Sequence, residues 1–317
     1  MALQLFNFCV YHDYVEQLEQ TGKSLSEYVK HLGLNGIEHL VYTKEIPNPT
    51  FRDESVGAHL AYWPYWLGFW KNNKIRLKRQ FKSAKERNNC YFGALNEDEW
   101  LSVIQQNLIA AAAVKPEYMV WHVSEADMQE AYTFDFQYSD LEVLEAAADV
   151  FNSVSMCIPQ HITVLFENLW WPGLRLTEPE KVRFFFDRIQ RDNVGIMLDT
   201  GHLMNTNPDL RNEAEAADYI CRTVDNLGDL AKYIKGVHLS CSLSGEYQKS
   251  LSHEFRPHTT FAELYKHIVS IDRHQPFRTK AARRILKFIR PQYVTHELIY
   301  ATLSEMEEKL KIQLSNC

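Results

Sequence analysis

No stretch of the sequence approaches the roughly 20 consecutive apolar residues that cross a bilayer. Its start, MALQLFNFCVYHDYVEQ, carries neither a cationic head nor a long apolar run. A membrane span and a secretory leader are therefore not expected, and the opening residues read as a first strand. Cysteine is sparse and scattered: Cys9, Cys90, Cys157, Cys221, Cys241 and Cys317, with no C-x-x-C pair. That argues against a cysteine zinc site and predicts reduced thiols in a cytoplasmic protein. A surplus of positive charge is missing too. The net charge is -7, with a pI near 6.0, so the overall basic footprint of a nucleic-acid binder is absent, although a local basic face could still serve one. There is no Gly/Ser linker, no repeat of 20–50 residues, and no G-x-G-x-x-G after the first strand. A doubly wound dinucleotide-binding sheet thus lacks its signature.

What is present is an alternation of two patterns. Short apolar, β-branched or aromatic runs end in polar residues at 4–10, 36–42, 56–62, 118–123, 163–167, 194–199, 234–240 and 293–297. Amphipathic helical patterns fall at about 25–32, 97–114, 139–155, 178–191, 213–229, 261–271, 280–289 and 303–313. In 97–114, for example, Trp100, Val103, Ile104, Leu108 and Ala111 share one face at helical spacing. Eight βα units predict an α/β fold in which a parallel sheet closes into a (β/α)₈ TIM barrel with outer helices. The 317 residues, 45% of them hydrophobic, suffice for one such domain over 1–317. Insertions at about 63–96 and 241–260 follow the third and seventh strands, on the face where barrel enzymes keep their active sites.

The chemistry concentrates at the strand ends. The third strand ends in His59, the fourth in His122, the fifth in Glu167, the sixth in Asp199 with His202 just beyond, the seventh in His238 and the eighth in Glu297. Singly, each reads as a rim histidine, a solvated carboxylate or a helix cap. Together, six strand ends aimed at one axis offer imidazole and oxygen donors for a divalent metal and no thiolate.

This set resembles the xylose isomerase-like barrel superfamily, which includes endonuclease IV and the sugar isomerases and epimerases. The resemblance runs strand by strand over nearly the whole chain. It is most specific at Glu167-Asn168, at Asp199-x-x-His202, at His238 and at Glu297. In the epimerase branch it implies one Mn²⁺-like ion held by Glu167, Asp199, His238 and Glu297. In the endonuclease branch it implies three zinc ions: one on His59, His122 and Glu167, a second on Glu167, Asp199, His238 and Glu297, and a third on His202, Asp272 and His274. The last two residues come from the tripeptide Asp272-Arg273-His274, and Tyr62 also matches the endonuclease pattern. The chain departs from that branch at Val123-Ser124, at Leu239-Ser240-Cys241 and at Gln275-Pro276-Phe277. Those segments grip substrate, so the resemblance supports metal binding more than DNA incision. The cofactor implied is Zn²⁺ or Mn²⁺, one to three ions per chain, with iron compatible with the same donors.

Around this centre, Trp63, Trp66, Trp170 and Trp171 join Tyr62 and Asn168 as expected substrate contacts, because aromatic faces stack on sugars and bases. The equal alternative is that they plug the barrel mouth. Between Lys71 and Arg87 lie eight basic residues against the single acid Glu86. From this segment Lys74 and Arg76 are expected to meet a phosphate, with a solvated helix face as the alternative. Two activities follow. One is phosphoester hydrolysis at a multinuclear site with Glu167 as the bridging carboxylate. The other is isomerisation or epimerisation of a sugar or sugar phosphate, with Glu167 and Glu297 shuttling a proton beside one metal. The partner is accordingly a small sugar, a sugar phosphate or a nucleic-acid phosphodiester, not a membrane, and a homo-oligomer is compatible with the sequence. A barrel that binds ligand through its metal without turnover, and other metal chemistry such as dehydration or iron-dependent oxidation, are the remaining alternatives.

Overall fold

The computed structural model describes residues 2–10, 13–45, 51–255 and 259–317. Eight parallel strands hydrogen-bond in chain order and close on themselves: β1 (Leu3–Phe8), β2 (Gly36–Val41), β3 (Ser55–Leu60), β4 (Tyr118–His122), β5 (Thr163–Glu167), β6 (Val194–Asp199), β7 (Ile234–His238) and β8 (Tyr293–His296). The fold is a TIM barrel. Each strand lies within the apolar run that predicts it or extends one residue before it. Ser240 and Glu297 fall just past the ends of β7 and β8. Every residue of β6 is buried, as expected for a parallel strand covered on both faces.

The pleat positions the site. Leu5, Tyr118, Val120, Leu165, Met197 and Tyr293 form the core inside the barrel. Two residues on from an inward side chain the next one also points inward. Val120 therefore leads to His122, Leu165 to Glu167, and Met197 to Asp199. Strand register then sets His122 beside Glu167 and Asp199 beside His238. Outside the barrel, the main hydrophobic layer packs the strands against helices that include Glu97–Ala113 and Asp140–Val154. All five residues expected on the inner face of the first of these are buried.

Several helices go beyond the sequence reading: Tyr14–Gln20, Leu67–Trp70, Lys74–Gln80, Ala84–Cys90, Met128–Thr133, Thr200–Asn205 and Gly245–Lys249. All are short, so hydrophobic periodicity has too few turns to register. The expected helix at 178–191 stops earlier, at Phe186. Part of the second insertion, 256–258, lies outside the described residues. Among the described residues no disulfide links the cysteines, and no helix is long and apolar enough to cross a membrane.

Candidate metal centre

At the C-terminal mouth of the barrel the side chains converge into three groups. His59, His122 and Glu167 form the first; Glu167, Asp199, His238 and Glu297 the second; His202, Asp272 and His274 the third. Within each group the ligand atoms lie within 4.8 Å of one another. Glu167 belongs to two groups because its oxygens face different ways. Its Oε2 is 3.3 Å from His59 Nε2 and 3.1 Å from His122 Nε2. Its Oε1 is 3.1 Å from His238 Nδ1 and 3.3 Å from His202 Nδ1. In the third group, Asp272 Oδ2 lies 3.1 Å from His202 Nε2 and 2.5 Å from His274 Nε2.

Backbone and side-chain hydrogen bonds hold the rings in place. His59, His202 and His274 each set Nδ1 against a main-chain carbonyl, of Leu60, Asn168 and Glu297 respectively. That partner fixes a proton on Nδ1 and leaves Nε2 with a lone pair directed into its group, as a metal ligand requires. Asp199 caps the helix Thr200–Asn205 with Oδ1, which accepts from the His202 amide. Its Oδ2 is left over. Buried Asp199 Oδ2 accepts no hydrogen bond among the described residues, and Glu167 Oε2 and Glu297 Oε2 face histidine ring nitrogens alone. Burying acceptors unmatched is costly, and these three point into the groups where a cation would meet them. The donor set, nitrogen and oxygen with no sulfur, suits a divalent ion. The residues therefore fit the metal that the fold family implies.

Electrostatics agree. No lysine or arginine among the described residues pairs with Glu167, Asp199, Asp272 or Glu297; histidines do so instead. Burial favours a neutral Glu167, but His122 and His238 hold it well below the usual carboxylate range. Burial likewise opposes charge on Asp272, and His274 and His202 hold it low. For the imidazoles burial acts downward, yet the carboxylates win. Asp199 and Asp272 raise His202 well above its ordinary value. Glu38, Glu297 and Glu167 do the same for His238. Asp272 brings His274 up to about 10. His122 is the exception, since burial pulls it down to about 3. Without metal, protons on histidines balance the other carboxylates, while burial raises Asp199 to about 7.

Two of the expected substrate contacts are corrected. Arg76 is only 1% exposed. Its guanidinium grips Glu130 through both terminal nitrogens at 2.6 and 2.7 Å, and reaches Glu125 at 2.9 Å and Gln137 at 3.1 Å. With both terminal nitrogens paired and its Nε buried, it is out of reach of a phosphate in solution. Asn168 is fully buried and bonds the backbone N–H and C=O of Asp199 with its amide. It clamps β5 to β6, and both amide atoms are engaged there. Lys74 is exposed.

The aromatic residues divide. Tyr62 stacks on His122 at 4.4 Å, and Trp170 lies 5.3 Å from His202, so both wall the centre. Trp63 and Trp66 pack on Trp100, and their indole N–H groups bond the carbonyls of Cys90 and Ser124. With Tyr62 and His122 they line a cavity of about 40 Å³. Trp171 is buried in a small core with Ala126, Leu169 and Ile271. Sequence reasoning missed Glu38, which sits mid-strand in β2 where no strand-end rule points to it, and Asn205, whose amide donates to Asp272.

Comparison with known proteins decides the family. Residues 27–299 match the model of the xylose isomerase-like TIM barrel family. The chain belongs to that family. No curated protein sequence matches it. Among solved structures, endonuclease IV from Thermus thermophilus is 13% identical with a TM-score of 0.54, over 99% of this chain and 98% of that one. A 3-keto-D-glucoside 4-epimerase from E. coli is 13% identical with a TM-score of 0.52, over 99% and 100%. A D-tagatose 3-epimerase-like protein is 16% identical with a TM-score of 0.50, over 99% and 96%. At such identities the likeness to these family barrels is one of fold.

Proposed function

We propose that this chain is a divalent-metal-dependent enzyme that hydrolyses a phosphoester at a multinuclear centre. The observation that carries the reading is the assembly of two further groups around the tetrad. His59 and His122 share Glu167 with it, and His202, Asp272 and His274 stand beside it. A single-ion enzyme needs the tetrad alone. His59, His122 and Glu167 would hold one ion, Glu167, Asp199, His238 and Glu297 a second, and His202, Asp272 and His274 a third, with Zn²⁺ or Mn²⁺ suited to the donors. Bound together, such ions supply an activated water and neutralise charge on a phosphoryl group. Glu167 spaces the first two groups, one oxygen on each. The carbonyls of Asn168 and Glu297 orient the third.

Charge gives an independent argument. Four ligand carboxylates against three divalent ions leave a net +2, which attracts a phosphate. Against one ion at the tetrad, protons on His202 and His274 offset the remaining carboxylate charge, so the positive surplus that draws a phosphate is absent, which suits a neutral sugar. The second reading is a sugar or sugar-phosphate isomerase or epimerase, and one observation favours its unphosphorylated-sugar form: Arg76, the cation expected to meet a phosphate, is sequestered. There, Glu167 and Glu297, both within 3.1 Å of His238 Nδ1, would move the proton.

Elemental analysis of protein purified without added metal separates the two. Close to three ions per chain, with turnover of a phosphodiester such as bis-(p-nitrophenyl) phosphate, is expected. One ion per chain and no phosphoester turnover would replace hydrolysis with the epimerase reading.

A further inference from the structure

Glu38 lies inside the barrel on β2, fully buried, and the proposed chemistry gives it no part. Its Oε2 receives the Tyr118 hydroxyl at 2.7 Å, His238 Nε2 at 3.0 Å and the Thr295 hydroxyl at 3.1 Å; its Oε1 receives the Asn7 amide at 3.2 Å. Glu38, His59 and His238 also have ligand atoms close enough to hold a cation. The hydrogen bonds argue against that use. A carboxylate oxygen offers about two lone-pair positions, and three donors already crowd Oε2, the oxygen that faces His238, leaving it no position for a cation. Asp199, Glu167 and Glu297 differ: Asp199 Oδ2 has no donor, and the other two turn an oxygen to histidine nitrogens alone.

We infer that Glu38 is the positioning carboxylate that makes His238 a ligand through Nδ1. The other rings with a carbonyl partner (His59, His202 and His274) are anchored at Nδ1 and present Nε2. His238 is the reverse. Nε2 faces Glu38, and Nδ1 faces Glu167 at 3.1 Å, Glu297 at 2.8 Å and Asp199 at 4.0 Å. A carboxylate behind an imidazole fixes the tautomer and raises the basicity of the ligating nitrogen. The site for Glu38 is built. Gly57 has no side chain, and a Cβ there would meet the Tyr118 ring at 2.3 Å. That gap lets Tyr118 cross the barrel to Glu38. Tyr118 and Thr295 also lie 3.1 Å apart, so the carboxylate is held from β1, β4 and β8 and faces β7.

This role rests on the tetrad binding a metal, and the test separates the two. Glu38→Gln keeps the shape but removes the charge and replaces one acceptor with a donor. Its zinc Kd at the tetrad, measured by chelator competition, is expected to rise about 10- to 100-fold, with an altered visible spectrum of the Co²⁺ form. Tyr118→Phe removes a donor from the same carboxylate without touching His238. It is expected to lower the melting temperature and leave zinc affinity within about threefold. Zinc held equally well by the wild type and Glu38→Gln would overturn the positioning role and spare the metal site. So would equal weakening by Tyr118→Phe and Glu38→Gln, which would mark a general loss of packing. A wild type that takes up no zinc would overturn both. ¹⁵N NMR of zinc-loaded wild type checks the same point without a variant: His238 must carry its proton on Nε2, and a proton on Nδ1 overturns the inference.

Discussion

Two clusters of buried charge lie on the same face of this barrel, and they are built on opposite plans. In one, Arg76 sits among Glu125, Glu130 and Asp127, with Arg79 closing on Asp127 at 2.6 Å. Glu125 Oε2 also accepts the Trp66 and Leu67 amides, and Glu130 caps its own helix. There each carboxylate meets an arginine. The candidate metal centre brings four carboxylates and five histidines together, among the described residues with no lysine or arginine, and leaves Asp199 Oδ2 unmatched. Burial and charge alone would not tell the clusters apart. The partners do: arginines close one network and fasten the 63–96 insertion to the loop after β4, while the other meets histidines alone, which a cation would complete under the proposed function.

The largest effect that would sharpen this contrast comes from Glu167→Ala. Glu167 is the member shared by two groups, so its loss should remove about two ions and lower turnover on the order of 10³-fold or more. Stability should fall less than turnover does, although His59, His122, His202 and His238 each lose a partner. Metal content and turnover equal to wild type would end the metal-centre reading.

Arg76→Ala should do the reverse. It strands three buried carboxylates, so stability in denaturant should fall by about 3–5 kcal/mol, while each folded chain keeps its metal. Arg76→Lys should recover only part, since a point charge cannot grip Glu130 at two points. If the alanine variant lost metal in proportion at full folding, the two clusters would be one coupled system.

Asp272→Ala or His274→Ala should remove about one ion of roughly three and leave the other two, whose ligands are untouched. The pH dependence follows from the same residues. His274 is raised from 6.5 to about 10, so in the metal-free protein its charged form contributes stability fully below about 6.5 and loses it as pH rises through about 10. A metal arriving at pH 7 must displace that proton. Uptake should therefore release protons, and affinity should weaken as pH falls. Calorimetry in buffers of different ionisation enthalpy measures the number, and zero release would contradict the coupling.

Much of this was readable in the sequence, for physical reasons. A βα repeat places each strand's last inward residue at the rim, so His59, His122, Glu167, Asp199, His238 and Glu297 could be picked out by position. Asp272 and His274 were reachable through their tripeptide. Arg76 was not. A basic helix reads as a solvated face or an anion site, and the partners that sequester Arg76 lie 49 to 54 residues away. Asn168 was noticed and misjudged, because adjacency to a ligand says nothing of whether its amide faces a substrate or the next strand. Glu38 gave no signal: a lone glutamate among apolar residues mid-strand looks like any other until the barrel closes around it.

The smallest expected effect concerns what remains of the basic insertion. On the helix Lys74–Gln80, Arg76 and Leu77 are buried while Lys74, Ile75, Lys78 and Arg79 are exposed. The helix thus turns two cations, Arg76 and Arg79, into the ion network and leaves Lys74 and Lys78 to solvent, where no described carboxylate pairs with either. Exposed charges are worth little and are screened by salt. Lys74→Ala with Lys78→Ala should change KM for a phosphoester by less than about twofold and leave its salt dependence intact. A several-fold rise in KM at low salt that vanishes at about 0.5 M salt would place this face beside the substrate. The insertion would then serve both the closed cluster and the open one.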